Sequence, residues 1–449
     1  MRRTAPHPAS SGARSIVFTL ACAALAPPAL AAAGDLDPSF GRNGQVMSGF
    51  GRSADLANSV AVQADGKLVV VGTTYTDNDF SNEDFAIARF LPDGHLDKTF
   101  GTGGRVTTDF PGLAAVAAAV AIQPDGKILV AGGAFPVFTF AGDFKLARYN
   151  TDGSLDADFG VGGIVTTHFQ GGSFASALAL QADGRIVAAG TDYTRFSFDN
   201  DSDTDFALAR YLPDGSPDMS FGTGGQLSTD FGGFDDDALS VLVQPDGRIV
   251  AAGSAKDQVD YFDFAVARYL KNGKLDTSFG TSGRVHTDFG EHGLDRAYSA
   301  ALQADGGIVA AGLAISADGA TSNFALARYD GAGSLDTSFG SGGLKQVTFG
   351  SCCQSAQHVL VQDDGRIVVA GYPDSESSDS DFTLARLKAN GALDKSFGDG
   401  GRVRTSFGDL NGGARGAALQ PDGKIVAVGF QATATKKQVQ FAIARYLGE

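Results

Sequence analysis

Three short motifs recur seven times, in the same order, and that periodicity limits the chain to a repeat architecture. A turn motif Q-x-D-G places its Gly at Gly66, Gly126, Gly184, Gly247, Gly306, Gly365 and Gly423. A strand-like F-A-L-A-R-Y motif places its Arg at Arg89, Arg148, Arg210, Arg268, Arg328, Arg386 and Arg445. An L-D-x-x-F-G motif places its Phe at Phe40, Phe100, Phe159, Phe221, Phe279, Phe339 and Phe397. Successive copies lie 58 to 63 residues apart, so seven units fill residues 34–449 and leave no room for another domain.

Each unit reads as four short strands. In the second copy the expected spans are 118–123, 127–132 and 144–149, with 104–110 as the outer strand of the preceding unit. Gln123-Pro124-Asp125-Gly126 joins the first two: Pro presets φ and Gly supplies the positive-φ position of the turn. Phe144-Lys145-Leu146-Ala147-Arg148 alternates with period two, as a strand does. The Ala-rich strand (Ala117 to Ala121, Ala175 to Ala179, Ala297 to Ala301) suits a crowded hub where sheets converge. Four-stranded sheets repeated radially make a β-propeller, which leaves only short protected edges. The chain opens with an L-D-P-S-F-G segment, 36–41, read as a strand with no preceding three. It ends at 441–446 with three strands that lack a fourth. The first segment therefore completes the last sheet. A linear β-solenoid is the rival; it would need capping segments, and neither end offers one.

On these three motifs the units resemble the delta-60 repeat of bacterial exported proteins and, more distantly, NHL-type propeller blades. The resemblance covers essentially all of 34–449 and implies an all-β, seven-bladed propeller of four-stranded antiparallel blades with the Ala-rich strand innermost. It implies no single reaction or ligand, and the fold alone does not decide function.

Residues 1–33 read as a secretory signal peptide. Arg2, Arg3 and Arg14 precede an apolar stretch from Ser15 to Leu30, and Ala29-Leu30-Ala31 or Ala31-Ala32-Ala33 supplies an A-x-A cleavage pattern. A periplasmic or secreted product follows, with no transmembrane segment in the mature chain. The whole sequence carries −16, and without residues 1–33 it carries −19. That charge argues against nucleic acid or an anionic membrane as partner. A monomer is expected.

Arg and Asp that recur in every unit are read as structural, because a buried guanidinium needs a partner. Individuality lies between the second and third strands. Those seven loops hold 80 residues, of which eighteen are acidic and four basic, so they carry most of the net charge. They share an upper face with the connections between blades, and the Q-x-D-G turns lie below. The third loop, Asp199-Asn200-Asp201-Ser202-Asp203-Thr204-Asp205, places a carboxylate at every second residue. Calcium wants six to eight such oxygens, which makes Asp199, Asp201, Asp203 and Asp205 a candidate calcium set; a solvated acidic loop is the plain alternative. Aromatic residues interleave the loops, and Tyr75, Phe138, Phe140, Tyr193, Phe196, Phe198, Tyr261 and Tyr372 are candidates to stack on sugars or receive a peptide. They could equally pack the loops onto the blades.

Cys352 and Cys353 are adjacent and have no other cysteine to pair with in the mature chain. A strained vicinal disulfide, free thiols and pairing between chains all remain open. No G-x-S-x-G, H-E-x-x-H or phosphate-loop motif occurs. The expectation is an exported, non-catalytic propeller that binds a protein or glycan through an acidic, aromatic-dotted face, with calcium as a candidate and no other cofactor. A hydrolase or lyase using Asp199, Asp201, Asp236 and Asp237 is the first alternative, and a structural cell-surface protein the second.

Overall fold

The computed structural model describes residues 31–449 apart from 52–53, 76–82, 137–141, 196–202, 233–234, 257–260, 291–292, 351–353, 374–381, 409–411 and 434–437. Ala32–Glu449 is one compact unit built of seven four-stranded antiparallel sheets, one per repeat, and the described residues contain no helix. Blade one runs from its innermost strand Asp55–Val62 through Leu68–Tyr75 and Glu83–Phe90 to the outermost, Arg105–Thr108. Blade two repeats this with Ala114–Ile122, Ile128–Phe135, Asp143–Tyr149 and Ile164–Thr167.

The seventh blade closes the ring. Gly412–Leu419, Ile425–Thr433 and Gln438–Tyr446 supply three strands, and Gln45–Ser48 from the other end of the chain pairs antiparallel with the third. The closing strand is thus not 36–41. That segment is a turn, joined to the last blade by a single β-bridge, Leu36 to Tyr446, and by the side chains of Asp37 and Phe40. Asp37 accepts the Ser39 N–H at 2.9 Å and Gly41 sits at φ +53°, geometry that an extended strand does not have.

Each innermost strand carries one bulge at the same point, for example between Ala57 and Ser59 and between Ala238 and Ser240. A glycine of the second strand faces it. A Cβ on Gly72 would lie 1.9 Å from the Leu56 carbonyl oxygen, so only glycine allows the two backbones to approach this closely. Alanines in the hub and large residues on the third strand then interdigitate between neighbouring blades. Phe85, Ile87 and Phe100 of blade one pack with Ala115, Ala117, Val130 and Tyr149 of blade two.

A polar clasp repeats beneath this core. Arg89 donates from Nε to Asp97 at 2.9 Å, stacks on Phe100 at 4.5 Å and reaches the Thr151 carbonyl of the next blade. Arg445 does the same with Asp37, Phe40 and the Pro92 carbonyl, which ties the last blade to the first. Burial works against ionisation of Asp37, but its bonds from Ser39 and the charges of Arg445 and Lys424 hold it below the usual carboxylate range. Asp218 is held at about 2 by the same balance. All seven recurring Arg and Asp pair, six through Nε and Arg328 through Nη2, so they are accounted for by the ring itself.

Candidate functional site

The face opposite the Q-x-D-G turns carries what differs between blades. It is assembled from the ends of the second and third strands and the crossings from one blade to the next. Three positions meet at two of the crossings: the residue before the recurring Phe of the third strand, the residue before the Phe that follows the outermost strand, and a residue at the start of the next innermost strand. At the crossing from blade three to four these are Asp205, Asp230 and Asp236. From four to five they are Asp263, Asp288 and Asp295. In each trio, one carboxylate oxygen from every residue lies within 4.8 Å of the others.

The innermost positions are fully enclosed: Asp236 is 0% exposed and Asp295 is 1%. Asp236 accepts the Phe231 N–H at 2.6 Å and Asp295 the Phe289 N–H at 2.7 Å. Burial, with Asp205 and Asp230 close by, pushes Asp236 up to about 8. Burial, Asp288 and Asp263 push Asp295 up to about 7. Asp205 rises to about 6 through burial and the charges of Asp230, Asp203 and Asp192. Asp205, Asp236 and Asp295 are therefore held against their ionisation, whereas the recurring acids below are held in favour of it.

Further carboxylates widen the same sector. Asp203 shares a strand face with Asp205, because Asp203–Tyr211 is extended and the two are separated by one residue. Asp235 and Asp237 flank Asp236; burial raises both. Few cations answer them among the described side chains. Lys256 approaches Asp235 at 3.9 Å. The charge of Arg296, stacked on Phe262 at 4.0 Å, offsets part of the rise in both Asp235 and Asp237.

The innermost strands enclose a central channel of about 930 Å³ lined by Ala, Val and Leu, with Phe174, Tyr298, Tyr372 and Arg415 among its larger side chains. Arg415 donates to Asn58 at 2.9 Å, stacks on Phe430 at 5.0 Å and is influenced electrostatically by Tyr372 and Tyr75. His358 also lines the channel, and burial depresses it to about 4.

Of the aromatic candidates, Tyr75, Tyr193 and Tyr372 are half-buried, and Tyr261 is 39% exposed. Tyr372 lies over Gly413, where a Cβ would meet its ring carbon at 2.8 Å. Tyr75 and Tyr372 both interact electrostatically with Arg415, and Tyr193 does so with Asp237. Of the calcium candidates, Asp205 joins the blade crossing and Asp203 lies beside it. Phe138, Phe140, Phe196, Phe198, Asp199, Asp201, Cys352 and Cys353 fall outside the described residues. Sequence reading missed Asp230, Asp263, Asp288 and Asp295; aligning the seven repeats column by column is the signal that finds them.

No curated protein sequence matches the chain. Solved structures share its fold. Virginiamycin B lyase from Staphylococcus aureus, crystallised in a catalytically inactive form with quinupristin, superposes at TM-score 0.50 and 9% identity over 89% of this chain and 98% of that one. A protein of unknown function from Dyadobacter fermentans gives 0.46 and 14% over 76% and 96%. A gluconolactonase from Xanthomonas campestris gives 0.38 and 11% over 88% and 99%. At such identities the likeness is one of fold alone. Residues 63–100, 123–159, 181–221, 244–279, 303–339, 362–397 and 420–448 each match one repeat family, and the chain belongs to that family, described as "Domain of unknown function (DUF5122) beta-propeller".

Proposed function

We propose that this chain is an exported, non-catalytic binding propeller of the delta-60 type, and that the acidic sector over blades three to five receives a protein partner with a basic surface. One observation carries the reading. Asp192, Asp203, Asp205, Asp235 and Asp237 crowd one sector with few cations to answer them, while every recurring Asp has its own arginine. Carboxylates that the fold does not neutralise create a field that steers cationic partners. The glycan reading has less support, because Tyr75 and Tyr372 are engaged around Arg415. The hydrolase reading has less still, because Asp236 has no exposed surface to offer a substrate.

The test uses the immobilised full chain, challenged with peptides of graded charge and with a glycan array. Basic peptides should bind, weaken as salt is raised, and associate more slowly with the Asp203→Asn, Asp235→Asn double variant. Neutral glycans as the retained class, or basic-peptide binding indifferent to salt and to that variant, would overturn the proposal.

A further inference from the structure

We propose that the crossing from blade three to four holds one divalent cation of the calcium class, on Asp205, Asp230 and Asp236. The geometry fits such an ion. Calcium takes oxygens at about 2.3–2.6 Å, so ligands on opposite sides of it stand about 4.6–5.2 Å apart. The three oxygens of the trio lie within 4.8 Å of one another. All three donors are carboxylates, which suits a hard cation and not zinc or copper. Asp230 is exposed, so the ion would keep positions open to water.

The fold does not need these charges. At the crossing from blade five to six the same three positions are Asn323, Thr348 and Gln354. Gln354 accepts the Phe349 N–H at 2.6 Å, as Asp236 accepts that of Phe231. Thr348 accepts the Gly350 N–H at 3.0 Å, as Asp230 accepts that of Gly232 at 2.6 Å. Neutral side chains therefore make the structural bonds, and three carboxylates in their place are surplus to them.

A second observation points to a ligand independently. Asp236 is completely buried, and its Oδ1 has no hydrogen-bond partner, the nearby Lys256 N–H being engaged by the Asp235 carbonyl at 3.0 Å. A buried carboxylate oxygen without a donor is rare in folded proteins, because nothing replaces the water it gave up. A cation shared with Asp205 and Asp230 replaces it. The ion would also join strands of adjacent blades, so its binding should be seen in stability as well as in stoichiometry.

This inference does not depend on the basic partner proposed above, and its variants avoid Asp203 and Asp235. The full chain, stripped of metal, is titrated with calcium chloride by calorimetry in about 150 mM potassium chloride, where the Debye length is about 8 Å. Its melting temperature is followed in parallel. Calcium should bind and raise the melting temperature, and magnesium at equal concentration should not reproduce the rise. Asp236→Asn should lose one equivalent, because Asn keeps the backbone acceptor and removes the charge. If Asp236→Asn does not fold, the exposed Asp230→Asn serves instead. Asp143→Asn, at a crossing where the acid pairs with His168 at 2.8 Å, should keep that equivalent. No binding at millimolar calcium, or an unchanged stoichiometry in the Asp236 or Asp230 variant, would overturn it.

Discussion

Replacing Asp37 by Ala tests the closure of the ring where no covalent link crosses it. Asp37 and Arg445 are 408 residues apart in the chain, yet they meet at 2.9 Å, and they are 3% and 5% exposed. The substitution leaves a buried guanidinium without its carboxylate, and breaking such a pair from one side costs about 3–5 kcal/mol. It also removes two bonds from Ser39, at 2.9 and 2.7 Å, each worth about 1 kcal/mol. The contact of Arg445 with Phe40 and its bond to the Pro92 carbonyl survive, which puts the cost of the broken pair at the low end, about 3 kcal/mol, and the total with the Ser39 bonds at about 5 kcal/mol. Asp156→Ala removes the partner of Arg148, at 2.6 Å, in the middle of the chain. Both variants should lose similar stability in urea. Only Asp37→Ala should let protease reach Gln45–Ser48 before the rest of the chain unfolds, since that strand is held to the last blade without a covalent link. A loss below about 1 kcal/mol, or early cleavage of the closing strand in Asp156→Ala as well, would refute the reasoning.

Lowering the pH should expose the cost of His358. Its folded pKa is depressed to about 4 from 6.5, so the stability it contributes is complete above 6.5 and is lost as pH falls towards 4. The loss is at most about 3 kcal/mol, less where channel water reaches the ring; His358→Gln should flatten that limb of a stability profile measured by urea titration. Gly253→Ala should cost about 3 kcal/mol or more by thermal melting, because its Cβ would lie 1.8 Å from the Asp237 carbonyl oxygen. Gly103→Ala, at φ +62° in open space, should cost only about 1 kcal/mol. If a leader is removed on export, sequencing of the secreted product should begin at Ala32 and not at Gly34. The Ala33 carbonyl accepts the Gly398 N–H at 2.9 Å, as the Asp93 carbonyl accepts that of Gly41, so cutting after Ala33 would sacrifice a bond of the ring.

The architecture was legible because its causes recur. Arg at the end of the third strand and Asp in the following turn appear in every copy, and a buried guanidinium explains both. The 36–41 segment misled, since Leu36 and Phe40 look like inward residues of a strand. Asp37 and two positive-φ glycines, Gly41 and Gly44, turn the chain there instead. The acidic trios were illegible for a different reason. Asp205, Asp230 and Asp236 belong to three separate segments, and each looks like an ordinary loop acid in its own surroundings. They become a group only when strands of adjacent blades bring the ends of those segments together. Whether Tyr75 and Tyr372 were binding surface or packing stayed open, because nothing local reveals that Arg415, in the innermost strand of another blade, interacts electrostatically with both.

The closing strand has a temporal consequence. Gln45–Ser48 is made before every other strand of the ring and finds its place only on Gln438–Tyr446, the last of them to be made. Until then the backbone groups of the opening strand have no partner in the ring, and the seventh sheet is incomplete. Closure of the ring therefore waits for all its other strands to be made. A chain lacking that last strand would present two raw sheet margins to its neighbours, the situation that leads to aggregation.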